Sequence, residues 1–436
     1  MYLYMRGIKK IVLLIGALYF TGIASAQSPT APAQLSDLIN KAFDNYPKLK
    51  EGAEYVKLGE AKTELAYGAY MPVISADASY RYSQPTPEIT IPIPGYESKI
   101  KFLPANNYDF ALKLTQPIYD FGRTQANINK TKVDAAANKD NLENSKNALA
   151  YQVAQLYYGI VFLNKSIDVQ NGQLDLLGEN EKLIQNKIKN GDGLQFDLLS
   201  TQVKKNSAQN RLIDLQSQLQ KQYNLLNMLT GNTGSGYITS TDVNTAVLSA
   251  DAVSTDNNYD VKLLQDKLSS NAWDIKIAKR GWLPALMLNA QAGYKNGFVP
   301  DIEKLTFNYG VGVGLNVPIF SSARPNYQTK IAKINMQANT YALEAQKLSL
   351  NKDIQQSKED ITANQQKLNN YKLQLQQAEE ALKLANSRYK SGVITNLELL
   401  TAQTNLQDAK LGEIQLQYNV LLAELELNKL GAVKFW

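Results

Sequence analysis

Thr124–Lys189 reads TQANINKTKVDAAANKDNLENSKNALAYQVAQLYYGIVFLNKSIDVQNGQLDLLGENEKLIQNKIK, and it contains no proline and no convincing helix stop. Apolar residues recur at Leu142, Leu149, Val153, Leu156, Ile160, Leu163, Ile167, Leu174, Leu177, Ile184 and Ile188, with Lys146, Gln170 and Glu181 in the gaps. Alternating steps of three and four sustained over this length predict a coiled-coil helix. At about 1.5 Å per residue it would be roughly 100 Å long. The spacing resumes at Leu212, Leu215, Leu219, Leu226 and Leu229, and again at Leu411, Ile414, Tyr418, Leu421 and Leu425. Helices of ordinary globular domains average about a dozen residues, so a compact soluble fold fits poorly.

Four other segments alternate with period two. Ile74, Ala76, Ala78, Tyr80 and Tyr82 interleave with Ser75, Asp77, Ser79 and Arg81. The same pattern holds for Tyr108, Phe110, Leu112 and Leu114, for Leu286 to Tyr294, and for Phe307 to Leu315. Period two places the two sets on opposite faces of a sheet. About ten alternating residues suit an outer-membrane strand, with apolar sides to lipid and polar sides to a wet lumen. A soluble sheet with one solvated face alternates identically, so the strands alone leave both readings open. Both connections within the strand pairs are long: a proline-rich one from Ser83 to Asn107 and another from Asn296 to Leu305.

The chain begins with a leader pattern. Arg6, Lys9 and Lys10 precede the apolar run Ile11–Phe20, and Ala24-Ser25-Ala26 follows. This predicts a signal peptide over residues 1–26, cleaved after Ala26; the alternative, a membrane anchor, is disfavoured by the short run. Cleavage lowers the net charge from +6 to +3, too little to suggest nucleic acid. With no cysteine and no histidine, disulfides, thiolate or imidazole metal sites and Ser-His-Asp triads are impossible. No acidic constellation has catalytic or metal-ligand spacing. The chain is therefore read as a non-enzyme without cofactor or metal.

The sequence also repeats itself. Tyr70-Met71-Pro72 recurs as Trp282-Leu283-Pro284, at an offset of 212. Pro117-Ile118-Tyr119 recurs as Pro318-Ile319-Phe320, and Lys189-Asn190-Gly191 as Lys390-Ser391-Gly392, both at an offset of 201. The expected organisation is a first repeat over 27–231, a connector over 232–258 and a second repeat over 259–436. Strands are expected near 73–82, 108–119, 285–295 and 306–319, and long helical hairpins near 124–230 and 325–431. Four strands cannot close a barrel, and open edges are not tolerated in lipid. Three copies would pool twelve strands, so the predicted assembly is a homotrimer: a mainly α protein with a shared membrane β-barrel above a coiled-coil tunnel.

Three segments then carry a family likeness: QPIYDFGR (Gln116–Arg123), VPIFSSARPNYQTKIAK (Val317–Lys333) and RYKSGVITNLELLTAQTNLQDA (Arg388–Ala409). In these, and in the order and duplication of its parts, the chain resembles the TolC family of outer-membrane efflux proteins. The resemblance implies an outer-membrane barrel, a helical tunnel across the periplasm and an equatorial belt to which the connector and the C-terminus contribute. It implies docking to a periplasmic adaptor (membrane fusion) protein and an inner-membrane pump of the RND or ABC class, with passive conduction. The cargo is left open between small-molecule efflux and type I protein secretion. A structural trimeric coiled-coil surface protein is the other class considered; it is disfavoured because such fibres need one helix per chain.

The turns Lys189–Asp197 and Lys390–Glu398 would form the end remote from the barrel. Gly191 and Gly392 suit a left-handed helix stop, and Asp192, Leu194, Val393 and Ile394 are candidate adaptor contacts. The resemblance places an acidic ring at the entrance on Glu398, while the position of a second ring holds Thr401. Glu398 also completes a capping box with Thr395, and the two roles are compatible. Asp197 and Tyr389 match family positions that hold the entrance shut. The family's basic partner falls on Ile394, which leaves a Tyr389–Asp197 hydrogen bond, with Arg388 as a substitute charge. Tyr70, Trp282, Tyr119 and Phe320 are candidate membrane-interface aromatics, or ordinary packing at helix–strand junctions. Asp77, Arg81, Asp109, Lys113 and Lys295 would face the lumen.

Overall fold

A computed structural model describes residues 33–93, 96–238 and 254–436. The expected leader lies outside the described residues, as does most of the connector, 239–253. In chain order the elements are α1 (Ala33–Asn45), α2 (Pro47–Gly68), β1 (Val73–Tyr82), β2 (Glu88–Ile93), β3 (Tyr96–Lys101), β4 (Asn106–Tyr119), α3 (Arg123–Lys189) and α4 (Gln195–Thr230). The second half supplies α5 (Tyr259–Lys279), β5 (Ala285–Lys295), β6 (Thr306–Asn316), α6 (Arg324–Lys390) and α7 (Asn396–Leu430).

The long helices α3 and α6 each run 67 residues, about 100 Å at 1.5 Å per residue. Each pairs with the helix that follows its turn, and α3 lies against α7, joining the hairpins side by side. A mid-length core gathers Val153, Tyr157 and Ile160 of α3 with Leu35 and Ile39 of α1, Leu226 of α4, Leu425 of α7 and the C-terminal Phe435. The described start of the connector enters the same core through Ile238. Toward the turns, a second core joins Ile184, Leu382, Tyr389, Leu399 and Leu406.

The buried seam of α3 departs from the expected phase. Beyond Leu163 it continues through Ser166, Gln170, Gln173, Leu177, Asn180 and Ile184, while Ile167 and Leu174 are only half-buried. Gln170 fills a place in the three-and-four series that no apolar residue holds, and it is fully buried as that place requires. Its amide donates to Ala208 O (2.9 Å) and accepts from Gln407 Nε2 (2.8 Å). A buried amide is tolerated where both ends are hydrogen-bonded, and periodicity of apolar residues cannot register it.

β1, β4, β5 and β6 form one antiparallel sheet in that order. Two boundaries and one loop differ from expectation. β4 begins at Asn106, and β6 stops at Asn316 rather than near 319. Pro318 has no N–H for the ladder; β4 passes its own Pro117 with an irregularity before Tyr119. The connection from Ser83 to Asn107 contains a hairpin of its own, β2–β3. Its strand signal, Ile89, Ile91 and Ile93, is interrupted by Pro92 and is therefore easily read as loop.

Candidate functional site

At the turns, both long helices end alike. Gly191 (φ 85°) and Gly392 (φ 70°) take the left-handed conformation. The N–H groups of Asp192 and Val393 then reach back to Lys187 O and Arg388 O, at 2.9 Å each, which closes two Schellman motifs. α7 starts with a capping box: Glu398 N–H donates to Thr395 Oγ1 (3.3 Å), and Thr395 N–H donates to Glu398 Oε2 (2.7 Å). These hydrogen bonds hold the Glu398 carboxyl below its usual range, so it stays ionised and exposed. Thr401 donates its hydroxyl to Leu397 O (2.8 Å) and adds no charge. Asp197 lies in the first turn of α4, where the helix dipole favours an acid.

Tyr389 is 4% exposed. Burial first, and then the Asp197 carboxylate, push its phenol pKa up. No hydrogen bond joins Tyr389 to Asp197 among the described residues. The ammonium of Lys187 instead stands 4.1 Å from the Tyr389 ring centre and donates to Tyr389 O at 3.0 Å. Arg388 is exposed and makes no ion pair among the described residues. The cation against Tyr389 therefore comes from α3 rather than from the neighbouring position on α6.

A second link was also missed in the sequence. The Asn396 side chain, 2% exposed, accepts from Asn180 Nδ2 (2.9 Å) and donates to Thr201 Oγ1 (3.1 Å) and Asp197 O (3.3 Å). One amide thus ties α3, α4 and α7. Asn180 is buried one residue before Glu181, the place that the three-and-four series assigns to the seam, so nothing in the spacing marked it. Of the expected contact residues, Asp192, Leu194 and Val393 are exposed, whereas Ile394 packs on the turn-end core. Phe196 and Leu397, 76% and 72% exposed, join the same surface, and no motif in the sequence marks them.

At the opposite end, the strand register aligns one face across the whole sheet. Ile74 pairs with Leu114, Ala76 with Leu112, Leu112 with Ala292 and Ala292 with Tyr309. Toward the loop end this face carries an aromatic row: Tyr80, Tyr82, Tyr108, Phe110, Tyr294, Phe307 and Tyr309. Neighbouring rings lie 5.2 Å (Tyr80–Tyr108) and 5.5 Å (Tyr294–Phe307) apart. At the helix end, Tyr70, Tyr119 and Phe320 are exposed. Trp282 is half-buried, and its indole N–H donates to Asn326 Oδ1 (3.3 Å). From Phe110 to Tyr119 is about 30 Å along the strand, or roughly 23 Å of height at a tilt near 40°.

The other face is polar and of mixed sign. Asp77 pairs with Lys113 (3.6 Å), Asp109 lies opposite Lys295, and Gly310, Gly312 and Gly314 line β6. No described helix is long and apolar enough to cross a membrane. Among the described residues no three potential metal ligands lie together.

A four-stranded sheet with one lipid-suited face, carried on two paired helical hairpins, defines a subunit of a tubular export channel. The chain belongs to the outer membrane efflux protein family, whose sequence model matches residues 38–232 and 254–432. It is accordingly an outer-membrane efflux channel and not an enzyme. It is 22% identical to the outer membrane protein TolC of Escherichia coli, over 96% of this chain and 85% of that protein. It is 21% identical to the alkaline protease secretion protein AprF of Pseudomonas aeruginosa, over 89% and 82% respectively. Among solved structures it resembles the outer membrane protein VceC of Vibrio cholerae (TM-score 0.76, 19% identity, covering 93% and 97%). It also resembles the open-state MtrE outer membrane channel of Neisseria gonorrhoeae (TM-score 0.77, 17% identity, covering 94% and 91%).

Proposed function

We propose that three copies of this chain close a twelve-stranded barrel in the outer membrane over a coiled-coil tunnel, and that the tunnel passively conducts cargo delivered from the inner membrane. The observation that carries this reading is the sheet. It is apolar across all four strands on one face and polar on the other, and the outer edges of β1 and β6 are left unpaired among the described residues. Unpaired strand edges are too costly in hydrocarbon to persist, and identical neighbours supply the missing ladder. The rows of aromatics match the girdles of an apolar band about 25 Å tall, with Tyr70, Trp282, Tyr119 and Phe320 on the periplasmic side. Residues 1–26 would be the export leader.

The turn ends form the periplasmic entrance. Gly191 and Gly392 shape the tips, and Asp192, Leu194, Val393 and the rim of Ile394 meet the adaptor. Three Glu398 carboxylates ring the axis and attract cations to the mouth; Thr401 leaves a single ring. Asp197 and Tyr389 belong to the closing contacts, and Lys187 supplies the charge that was expected of Arg388. The adaptor would link the duct to an RND or ABC pump. Relatives named for drug and toxin export and for protease secretion support both kinds of cargo, and small-molecule efflux is the reading we adopt.

The test is the state of the purified protein in detergent and in planar bilayers. A trimer with discrete conductance is expected; a stable, non-conducting monomer would remove the tunnel wall and the proposal with it. For the entrance, Lys187→Met is expected to raise the open probability of single channels, as is Asp197→Ala. Unchanged gating in both variants would dismiss the closing contacts.

A further inference from the structure

The two halves of the subunit meet beneath the barrel along α3 and α5, and this join is mostly polar. Lys130 pairs with Asp274 (2.7 Å), Ser270 donates to Asp134 (2.7 Å), Lys262 pairs with Asp140 (2.7 Å), and Asn144 donates to Asp260 (2.9 Å). α5 buries only Val261, Ser270, Asn271 and Ala278. Within this ladder Asp266 stands apart. It follows Lys262 by one helical turn, and its Oδ2 is shielded from water with no donor to satisfy it among the described residues. Its neighbour across the join is the Asp140 carboxylate, already engaged by Lys262. Two carboxylates in that position offer each other only acceptors.

We propose that Asp266 and Asp140 share a proton, and that taking it up tightens the join between the two halves of the subunit. A protonated Asp266 becomes a donor, satisfies its shielded oxygen and removes the repulsion. The groups acting on Asp266 are Asp140 from α3 and Lys262 from its own helix, and Lys262 in turn faces Tyr259; among the described residues none of the groups acting on Asp266 comes from α6, which also packs on α5. Burial, followed by Asp140, pushes the Asp266 carboxyl up to about 6, against the opposing pull of Lys262. A carboxyl raised in the folded state binds its proton more tightly there than when unfolded. The join is therefore strained above about pH 6 and relieved as the pH falls through that value toward the unfolded carboxyl's range near 4.

The test compares the purified wild-type channel with Asp266→Asn, whose amide can donate permanently to Asp140. Melting midpoints are measured at pH 7.5 and 5.0, together with the infrared band of protonated carboxyls. The variant is expected to melt higher than wild type at pH 7.5 and alongside it at pH 5.0. The wild type should show a protonated-carboxyl band at pH 5.0 that the variant has lost. A variant that melts lower at pH 7.5 with the wild-type pH response, or an unchanged band, would overturn the shared proton. Lys262→Met, which removes the cation opposing protonation, should move the wild-type transition to higher pH; no movement would count equally against it.

Discussion

Gly122 and Ala323 stand at the same left-handed turn in the two halves, where the last strand of each sheet pair bends into a long helix. Their φ angles are 80° and 55°, and the residues before them, Phe121 and Ser322, are also left-handed. The first turn is well supported. Asp120 accepts from the N–H groups of Gly122 (3.0 Å) and Thr124 (2.6 Å), and Arg280 donates to Gly122 O (2.7 Å). In the second turn Ser321 replaces the aspartate, and its buried hydroxyl has no partner among the described residues. Pro325 has no N–H where Thr124 has one, so half the need for a capping acid is gone. Ala323 nonetheless carries a Cβ in a conformation that costs an L-residue about 1–2 kcal/mol. Glycine would relieve that and return about 0.4–1 kcal/mol of it as chain entropy. Ala323→Gly is therefore expected to stabilise the protein by about 0.5 kcal/mol, and Gly122→Ala to destabilise it by a comparable amount. Equilibrium unfolding of both variants checks the pair; a destabilised Ala323→Gly would show that the turn is not strained.

Strands and helices were legible to different degrees. The alternation of Ile74 to Tyr82 and of Phe307 to Leu315 is a direct consequence of the pleat, so it could be read residue by residue. The turn-end links could not, because Gln170, Asn180 and Asn396 look like surface residues until their partners on other helices are known. Lys187 was equally invisible: nothing local says that a helix-terminal lysine lies over a tyrosine two hundred residues away. The sheet also separates two kinds of substitution on adjacent residues. Leu112 lies mid-strand on the apolar face and Ala111 beside it on the polar face. A lysine facing lipid near mid-bilayer costs about 2–4 kcal/mol, whereas a lumen position tolerates charge. Leu112→Lys should lose that much stability in a folding assay into lipid, and Ala111→Lys should keep stability but change ion selectivity. Equal losses would mean that the faces have been assigned wrongly.

The single chain leaves too much unfinished to be the functional unit. β1 and β6 are free edges, and α6 exposes Tyr327, Ile331, Ile334, Tyr341 and Leu348, a stripe with the three-, four- and seven-residue steps of a helix that packs on another. The duplicated halves and the count of strands could be read in the sequence, but which edges stay open depends on the order β1-β4-β5-β6, fixed only by the folded sheet. In that order the two edges run antiparallel, so β6 of one subunit can pair with β1 of the next and continue the same ladder around a closed ring. Val73 and Asn316 mark the helix end of these strands, and Ala76 and Val313 lie three residues in from it. Because the chain has no cysteine, a cysteine at each of those two positions is a clean reporter. Oxidation of Ala76→Cys/Val313→Cys, or of the neighbouring Ala78→Cys/Val311→Cys pair, should give covalent dimers and trimers on a denaturing gel, while the single variants stop at the monomer. If neither double variant cross-links between subunits in a membrane preparation, the ring is not closed through these edges and another partner must cover them.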